Sequence, residues 1–580
     1  VSDHFQSNPE WIINNQRRED LTKRLITNLS AELILSNHLK LLLRGNYDYA
    51  IKTNEKKNKA GSNATNVHPN GSWDYQKYSD ELIYGDALLS YSRNFEGISV
   101  DAILGTSYQK STYGLGISVS TGTDGLIYPN EFSFQNIASN VQVKSTLDSR
   151  LIKEGVFGNL QLGYKEKVYL DISGRKDWAS SLYGTGNDSY FYPSVGLTGI
   201  LSSMIKMPEF VSFGKLRASY TIVGNEVPFN KVSPNNTITT SGVEYNTTKP
   251  FTNLKPEMIH SMEFGGDWRL FNGLWGIDFT LYKIKSKDQF ISLPAPSGSG
   301  YTNYYVNAGK IVNSGVEISV NSTLLRSSRF NWIGSLNFST NKNKIVKLHP
   351  DLKDITLSDN EGYQLLISEG GSFGDLFVHK FLRDNKGRIK LDENGNILKS
   401  QSKKYIGNSN PRLSVGLNNT LKYRNISLGF LINGKFGGKV ISQTEAMLDG
   451  YGVSKRTAIA RENGGVEINA VKPDGTEVHT FDARTYYSTI GNRDGIKEPY
   501  TYQRTNIRLS QLILSYDFTL EKMALKSVNV SFTAQNLFFI YKDAPFDPEI
   551  TLNTLISDQA LDNFTIPSTR TFGLNLKINY

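Results

Sequence analysis

The stretch Leu39-Lys40-Leu41-Leu42-Leu43-Arg44-Gly45-Asn46-Tyr47-Asp48-Tyr49 decides how the chain is read. Leu39, Leu41, Leu43, Tyr47 and Tyr49 fall on one side of an extended backbone. Lys40, Arg44, Asn46 and Asp48 fall on the other. Side chains alternate across a strand, so this segment has one apolar and one polar face. The pattern returns at Ile98 to Gln109, where Ile98, Val100, Ala102, Leu104 and Tyr108 oppose Ser99, Asp101, Ser107 and Gln109. It returns where Trp275, Ile277, Phe279 and Leu281 oppose Gly276, Asp278, Thr280 and Tyr282. Phe572, Leu574, Leu576 and Ile578 carry it to the last residue, Tyr580.

Alternation alone also suits a soluble sandwich. Length and connection pattern separate the two. Strands are expected over 21–35, 38–52, 80–94, 97–111, 148–165, 167–180, 190–201, 211–224, 256–271, 274–290, 312–325, 329–345, 411–424, 425–436, 505–519, 527–540 and 567–580. Most exceed the roughly 9–11 residues a tilted strand needs to cross a bilayer, and globular strands peak at about 5–6. Tight turns near Ser36-Asn37, Glu96-Gly97, Glu166, Asn272-Gly273, Ser327-Ser328 and Arg424-Asn425, with slightly longer ones at 202–210 and 520–527, alternate with long segments. Those segments cover 53–79, 112–147, 181–189, 225–255, 291–311, 346–410, 437–504 and 541–566. Short turns on one side and long loops on the other describe an all-β, transmembrane antiparallel β-barrel of the outer-membrane kind. Seventeen strands make an odd number, whereas single-chain bacterial barrels close with an even one. A partner for the first strand is therefore expected upstream of Val1, and the chain reads as the C-terminal part of a larger barrel.

Composition agrees and excludes other classes. The 580 residues include no cysteine, which removes disulfides, thiol nucleophiles and thiolate zinc sites. Tyr, Phe and Trp number 31, 29 and 6. Mean hydropathy is -0.37, and no apolar run reaches the roughly 18 residues of a spanning helix. The net charge of +9 is dispersed, with no block of like charges, so nucleic acid is not an expected partner. The seven histidines are scattered without an HExxH pair, no GxSxG elbow occurs, and Gly434 to Val440 lacks the ending of a phosphate-binding loop. No enzyme activity, metal or cofactor is expected. Asp384-Asn385-Lys386-Gly387 and Asp392-Glu393-Asn394-Gly395-Asn396 lack the spacing of a calcium loop and read as hairpin turns.

Specific segments carry a resemblance. Asn8-Pro9-Glu10-Trp11 with Arg17-Arg18, Tyr169 to Asp177 followed by Phe191-Tyr192-Pro193, Lys215 to Tyr220, and Leu254-Lys255-Pro256-Glu257 are four of them. Asn307-Ala308-Gly309 with Asn313 to Glu317, Ile406 to Pro411, Tyr451 to Thr457, Ala534-Gln535-Asn536-Leu537-Phe538 and Phe546-Asp547-Pro548-Glu549 are the others. In order and spacing they resemble the barrels of SusC/RagA-type TonB-dependent transporters of Bacteroidetes. The resemblance implies a 22-stranded barrel, a signal peptide, TonB box and plug domain N-terminal to Val1, and energy from the TonB-ExbB-ExbD complex. It implies active import of oligosaccharides or oligopeptides across the cell outer membrane, with a SusD-like surface lipoprotein as partner. A soluble secreted glycan-binding or adhesin module and a passive porin are the alternatives.

Two sets of residues are candidates for function. Trp73, Tyr75, Tyr78, Trp178, Tyr183, Tyr192, Tyr304 and Tyr305 lie in or beside long loops and would stack on a sugar or a peptide side chain. Interfacial girdles and small loop cores use aromatics too, which is the plainer reading of each. Arg44, Asp48, Asp101, Asp278, Glu317 and Asn321 are expected to line the lumen. The long loops 346–410 and 437–504 hold Tyr363, Phe373, Phe377, Phe381, Tyr451, Phe481, Tyr486 and Tyr487, so they are expected to be folded rather than disordered.

Overall fold

A computed structural model describes residues 8–579 apart from 64–66, 123, 140, 142, 233–235, 240–241, 251–252, 296–297, 350–351, 360–361, 520–525 and 551–559. Tyr580 and most of the 520–527 turn lie outside the described residues.

Among the described residues, seventeen strands have nine residues or more. They are Gln16–Ser36, Leu39–Lys59, Gly71–Phe95, Ile98–Ser120, Ser149–Tyr164, Val168–Ala179, Ser189–Ile200, Val211–Asn225 and Glu257–Leu270, then Trp275–Pro294, Asn303–Arg326, Phe330–Lys347, Leu413–Tyr423, Ile426–Phe436, Asn506–Thr519, Ser527–Lys542 and Thr571–Asn579. Each corresponds to one expected strand. The short connections are tight turns: in the three-residue connection between Tyr164 and Val168, Lys165 and Glu166 both adopt positive φ (49° and 56°), which twists the hairpin in the favoured sense. Phe271, Asn272 and Gly273 turn the chain through positive φ as well.

The strands outrun the expectation at the loop ends. Leu39–Lys59 pairs along its whole length with Gly71–Phe95, from Leu39 against Tyr91 to Lys59 against Gly71. The expected loop 53–79 is thus mostly a projecting hairpin, and only 60–70 connects it. Glu55-Lys56-Lys57-Asn58-Lys59 is polar on both faces, so alternation ends where the lipid would end, although the backbone ladder continues.

The chain divides into two compact units, Val1–Thr198 with Ser219–His260 and Ser286–Ala308, and Gly199–Ala218 with Ser261–Lys285 and Gly309–Tyr580. In the first, antiparallel ladders put Leu33, Leu41, Leu89 and Leu104 in one cross-strand row. Ser30, Arg44, Asp86 and Ser107 form another, on the opposite face. In the second, Ile318, Phe338 and Val415 share an apolar row. Register thus assembles the apolar face strand by strand.

The second unit also carries a folded superstructure built from its long loops. A four-stranded sheet joins Asp354–Asp359, Tyr363–Ser368, Asp375–Val378 and Lys404–Asn408. Ile389–Lys390, Val466–Val471 and Glu477–Phe481 form a second sheet, and Lys439–Ser442, Thr501–Gln503 and Leu561–Asp562 a third. Helices Gln443–Gly450, Lys455–Glu462 and Ala483–Gly491 start at Ser442, Ser454 and Asp482, whose side-chain oxygens accept backbone N–H groups three residues on. Phe381, Ile389, Ala446, Ile490, Ile496 and Tyr500 meet in one core, with Phe481, Tyr486 and Tyr487 packed against it. Tyr363, Leu365, Val378, Ile441 and Leu561 meet in another. Among their described residues, these loops are folded, as expected.

Candidate functional site

The polar face of the first unit's strands carries a cross-strand chain of charges. Arg44 donates twice to Asp86, at 2.9 and 2.7 Å, and Tyr84 donates to the same carboxylate at 2.8 Å. Directly across the ladders from Asp86 stand Ser107, Gly155 and Asp177. Arg175 spans them, donating to Ser107 at 2.8 Å and to Asp177 at 2.7 Å. Asp177 is fully buried and also accepts the Tyr192 hydroxyl. A Cβ on Gly155 would lie 2.3 Å from the Asp177 carboxylate, so only glycine leaves room for the Arg175–Asp177 pair. Asp48 pairs with Arg24, and Asp101 accepts from Ser92 at 2.6 Å.

In the second unit Asp278 takes two hydrogen bonds from Arg217, at 2.8 and 3.0 Å. Asn321 donates to Ser319 at 3.4 Å. Glu317 shares its face with Tyr282, whose hydroxyl donates to Asn341 at 3.3 Å. Sequence reasoning selected Arg44 and Asp278 but missed Asp86, Arg175, Asp177 and Arg217. Their opposite charges become partners only once cross-strand register is known.

The candidate aromatic residues divide by environment. Trp73 is only 3% exposed, packed with Val119 and Leu126, and donates its indole N–H to Glu55 at 2.8 Å. Tyr75 packs against it. Tyr78 lies under Lys52 at 5.8 Å. Tyr305 stacks on Phe290 at 4.4 Å against the core of Leu182, Tyr190, Val227 and Leu254, and Tyr192 packs there too. Tyr304 is half-buried, paired along the backbone with Lys249. Trp178 and Tyr183 remain exposed, Tyr183 at 81%. Small loop cores thus take up much of the set.

In the second unit three of the segments that carried the family resemblance, Ile406 to Pro411, Ala534 to Phe538 and Phe546 to Glu549, lie at joints between wall strands and loops. Asn408 and Asn410 both donate to the Phe373 carbonyl, at 3.0 and 2.9 Å, and Asn408 also donates to Asp375 at 2.8 Å. Arg504 ties the Ser409 carbonyl (2.8 Å) to the Pro548 carbonyl (3.0 Å). Asp547 pairs with the nearly buried Arg508 at 2.6 Å. Asn536, at φ 54°, makes the bulge that lets its side-chain oxygen accept from Arg508 at 3.3 Å. Beside these joints lies a polar cavity of about 1330 Å³, whose lining includes Asn341, Asn343, Tyr405, Asn408, Arg412, Lys439, Gln503 and Asp543. Such a surface can hold a hydrogen-bonding ligand.

The two Asp-containing turns are hairpin turns. Asp384 accepts backbone N–H groups of Lys386 and Arg388, Asp392 accepts that of Asn396, and Gly387 and Gly395 sit at φ 81° and 82°. In the superstructure core, burial pushes the Lys497 ammonium down to about 8, where it donates to the Asn492 carbonyl at 2.6 Å. Burial likewise pushes the Tyr486 hydroxyl up to about 12.

The family model described as TonB dependent receptor-like, beta-barrel matches residues 2–537. The TonB-dependent receptor P3 of Formosa agariphila is 26% identical over 556 residues, covering 87% of this chain and 53% of the relative. The TonB-dependent receptor SusC of Bacteroides thetaiotaomicron is 23% identical over 458 residues, covering 73% of this chain and 43% of the relative. The solved RagAB peptide transporter superimposes with a TM-score of 0.79 at 18% identity, covering 98% of this chain and 63% of that one. The chain spans about half the length of the curated relatives it matches. With the model matching nearly its whole length, the chain belongs to the TonB-dependent receptor β-barrel family of outer-membrane transporters and receptors, resembling SusC and RagA.

Proposed function

We propose that the chain is the C-terminal barrel portion of an active importer of oligosaccharides or oligopeptides. A plug, a TonB box and the first barrel strands would precede it, and the TonB-ExbB-ExbD complex would supply energy through them. The odd number of long strands and relatives about twice as long support this division. A SusD-like lipoprotein would close the barrel from the cell surface and deliver substrate. The observation that carries the reading is the folded superstructure: three small sheets, three capped helices and two cores exceed what joining strands requires. The hairpin of Gln443–Gly450 and Lys455–Glu462 also leaves Leu448, Tyr451, Val453 and Ile459 exposed, Tyr451 at 78%. An exposed apolar cluster of this kind suits a protein interface. Substrate would meet the polar cavity near Asn341 and Arg412.

The test replaces residues 443–499 by a Gly/Ser linker in the full-length protein. Barrel insertion is confirmed by heat-modifiable migration, and the lipoprotein is co-purified. Loss of the lipoprotein from an inserted barrel is expected. Full stoichiometric retention would show that these loops are not the seat.

A further inference from the structure

We propose that Lys283, Lys285, Lys342 and Lys344 form a binding site for the phosphorylated headgroup of a lipid in the outer leaflet. The site goes beyond transport and uses the outward face, which the import reading leaves to bulk lipid.

Register builds it. The Thr323 amide donates to the Leu274 carbonyl at 2.9 Å, and a Cβ on Gly315 would touch the Tyr282 hydroxyl. Together these set Lys283 opposite Ser314 and Lys285 opposite Val312. Ser314 pairs in turn with Lys342, and Val312 with Lys344. Two rows result, Lys283–Ser314–Lys342 and Lys285–Val312–Lys344. Directly below on the same face run Leu281–Val316–Thr340, Phe279–Ile318–Phe338 and Ile277–Val320–Leu336. Tyr282, between Lys283 and Leu281, points the other way, its hydroxyl on Asn341. The lysines therefore sit on the lipid side, immediately past the apolar band, and towards the long loops rather than the 271–274 turn. An outer-leaflet headgroup occupies that level.

Strand geometry sets the ammonium stems about 7 Å apart along a strand and about 10 Å apart across the middle one. Among the described residues, none of the four has an acidic side chain in salt-bridge range. Some lysines elsewhere in the wall do: Lys52 pairs with Asp80 at 2.7 Å and Lys153 with Glu226 at 2.8 Å. Four like charges without a counter-ion repel, and a phosphate among them removes that cost. Flexible lysine stems can lie along apolar surface while their heads converge on an anion.

A second feature gives the headgroup room. The strand Leu413–Tyr423 stops pairing with Phe330–Lys347 at Thr340, so the wall opens above that residue. The polar cavity lies at the opening, and Ser314 and Lys342 line it together with Arg412 and Lys439.

The test uses the full-length protein in nanodiscs of phosphatidylcholine containing a minor fraction of phosphatidic acid. Lipids retained after mild delipidation are counted by native mass spectrometry. Lys283→Gln/Lys285→Gln/Lys342→Gln/Lys344→Gln should lower phosphatidic acid retention at least about tenfold, with phosphatidylcholine unchanged. A control replaces Lys386, Lys390, Lys455 and Lys472, also by Gln, and should retain the lipid. Wild-type retention in the quadruple variant, or equal loss in the control, overturns the proposal. Complete displacement by millimolar inorganic phosphate would reassign the site to free phosphate and overturns it too. If the quadruple variant fails to insert, Lys283→Gln/Lys342→Gln and Lys285→Gln/Lys344→Gln are read separately, and each should lose part of the retention. Full retention in both overturns the proposal.

Discussion

Phe279 and Asp278 are neighbours in sequence and face opposite environments. Phe279 shares the apolar face with Ile318 and Phe338, whereas Asp278 accepts from the Arg217 guanidinium on the opposite, polar face. Phe279→Arg should therefore destabilise the barrel by about 2–4 kcal/mol if the site lies near the midplane. Lys40→Ser removes only an exposed pair with Glu32 and should cost under about 1 kcal/mol. Refolding titrations into lipid vesicles measure both, and equal costs would refute the assigned faces. Lys497 provides a pH test. Its folded-state value near 8 lies below the ordinary 10.5, so between those values the unfolded chain binds more protons. Stability of the loop core should rise from pH 8 towards 10.5, by up to about 3 kcal/mol. Exchange protection of 483–500, corrected for intrinsic rates, should show this rise in the wild type and not in Lys497→Met. At this scale the faces were legible because alternation is local. The burial of Lys497 and of Trp73 was not, because it depends on loops that are distant in sequence.

Among the elements, the wall strands were readable one by one, since each carries its own period and turn. Their projecting ends were not. Beyond the lipid both faces are polar, and Glu55 to Lys59 looks like a loop although it pairs fully with Gly71 to Tyr75. The superstructure was legible only as an excess of aromatics, because its strands of two to six residues are too short for any period to show. Its helical hairpin depends on one buried carboxylate. Asp449 accepts from Ser454 at 2.6 Å and Tyr500 at 2.9 Å, and pairs with Arg456 at 2.6 Å. Asp449→Ala should leave the Ser454 and buried Tyr500 hydroxyls without their acceptor, while the half-exposed Arg456 guanidinium is screened by water, and cost about 1–3 kcal/mol of local stability. Faster hydrogen exchange in 443–462, with barrel migration unchanged, is the expected result. Unchanged exchange would mean that the apolar core alone holds the hairpin.

Across the whole molecule, the alternation of turns and loops fixes which strand ends share a side, and membership in the family places the strands in the outer membrane. Together they determine what each loop can meet. Lys386 lies at one hairpin turn of the superstructure and Asp474 at another, while Asn37 and Asn272 lie in tight turns at the opposite strand ends. The chain has no cysteine of its own, so single replacements report without background. Lys386→Cys and Asp474→Cys should react with a membrane-impermeant maleimide on intact cells, and Asn37→Cys and Asn272→Cys only after the outer membrane is opened. The reverse pattern would put the folded loops in the periplasm. A surface lipoprotein could not then reach them, and the lysine rows beside the loop ends would face the inner leaflet, so both proposals would fall with the topology.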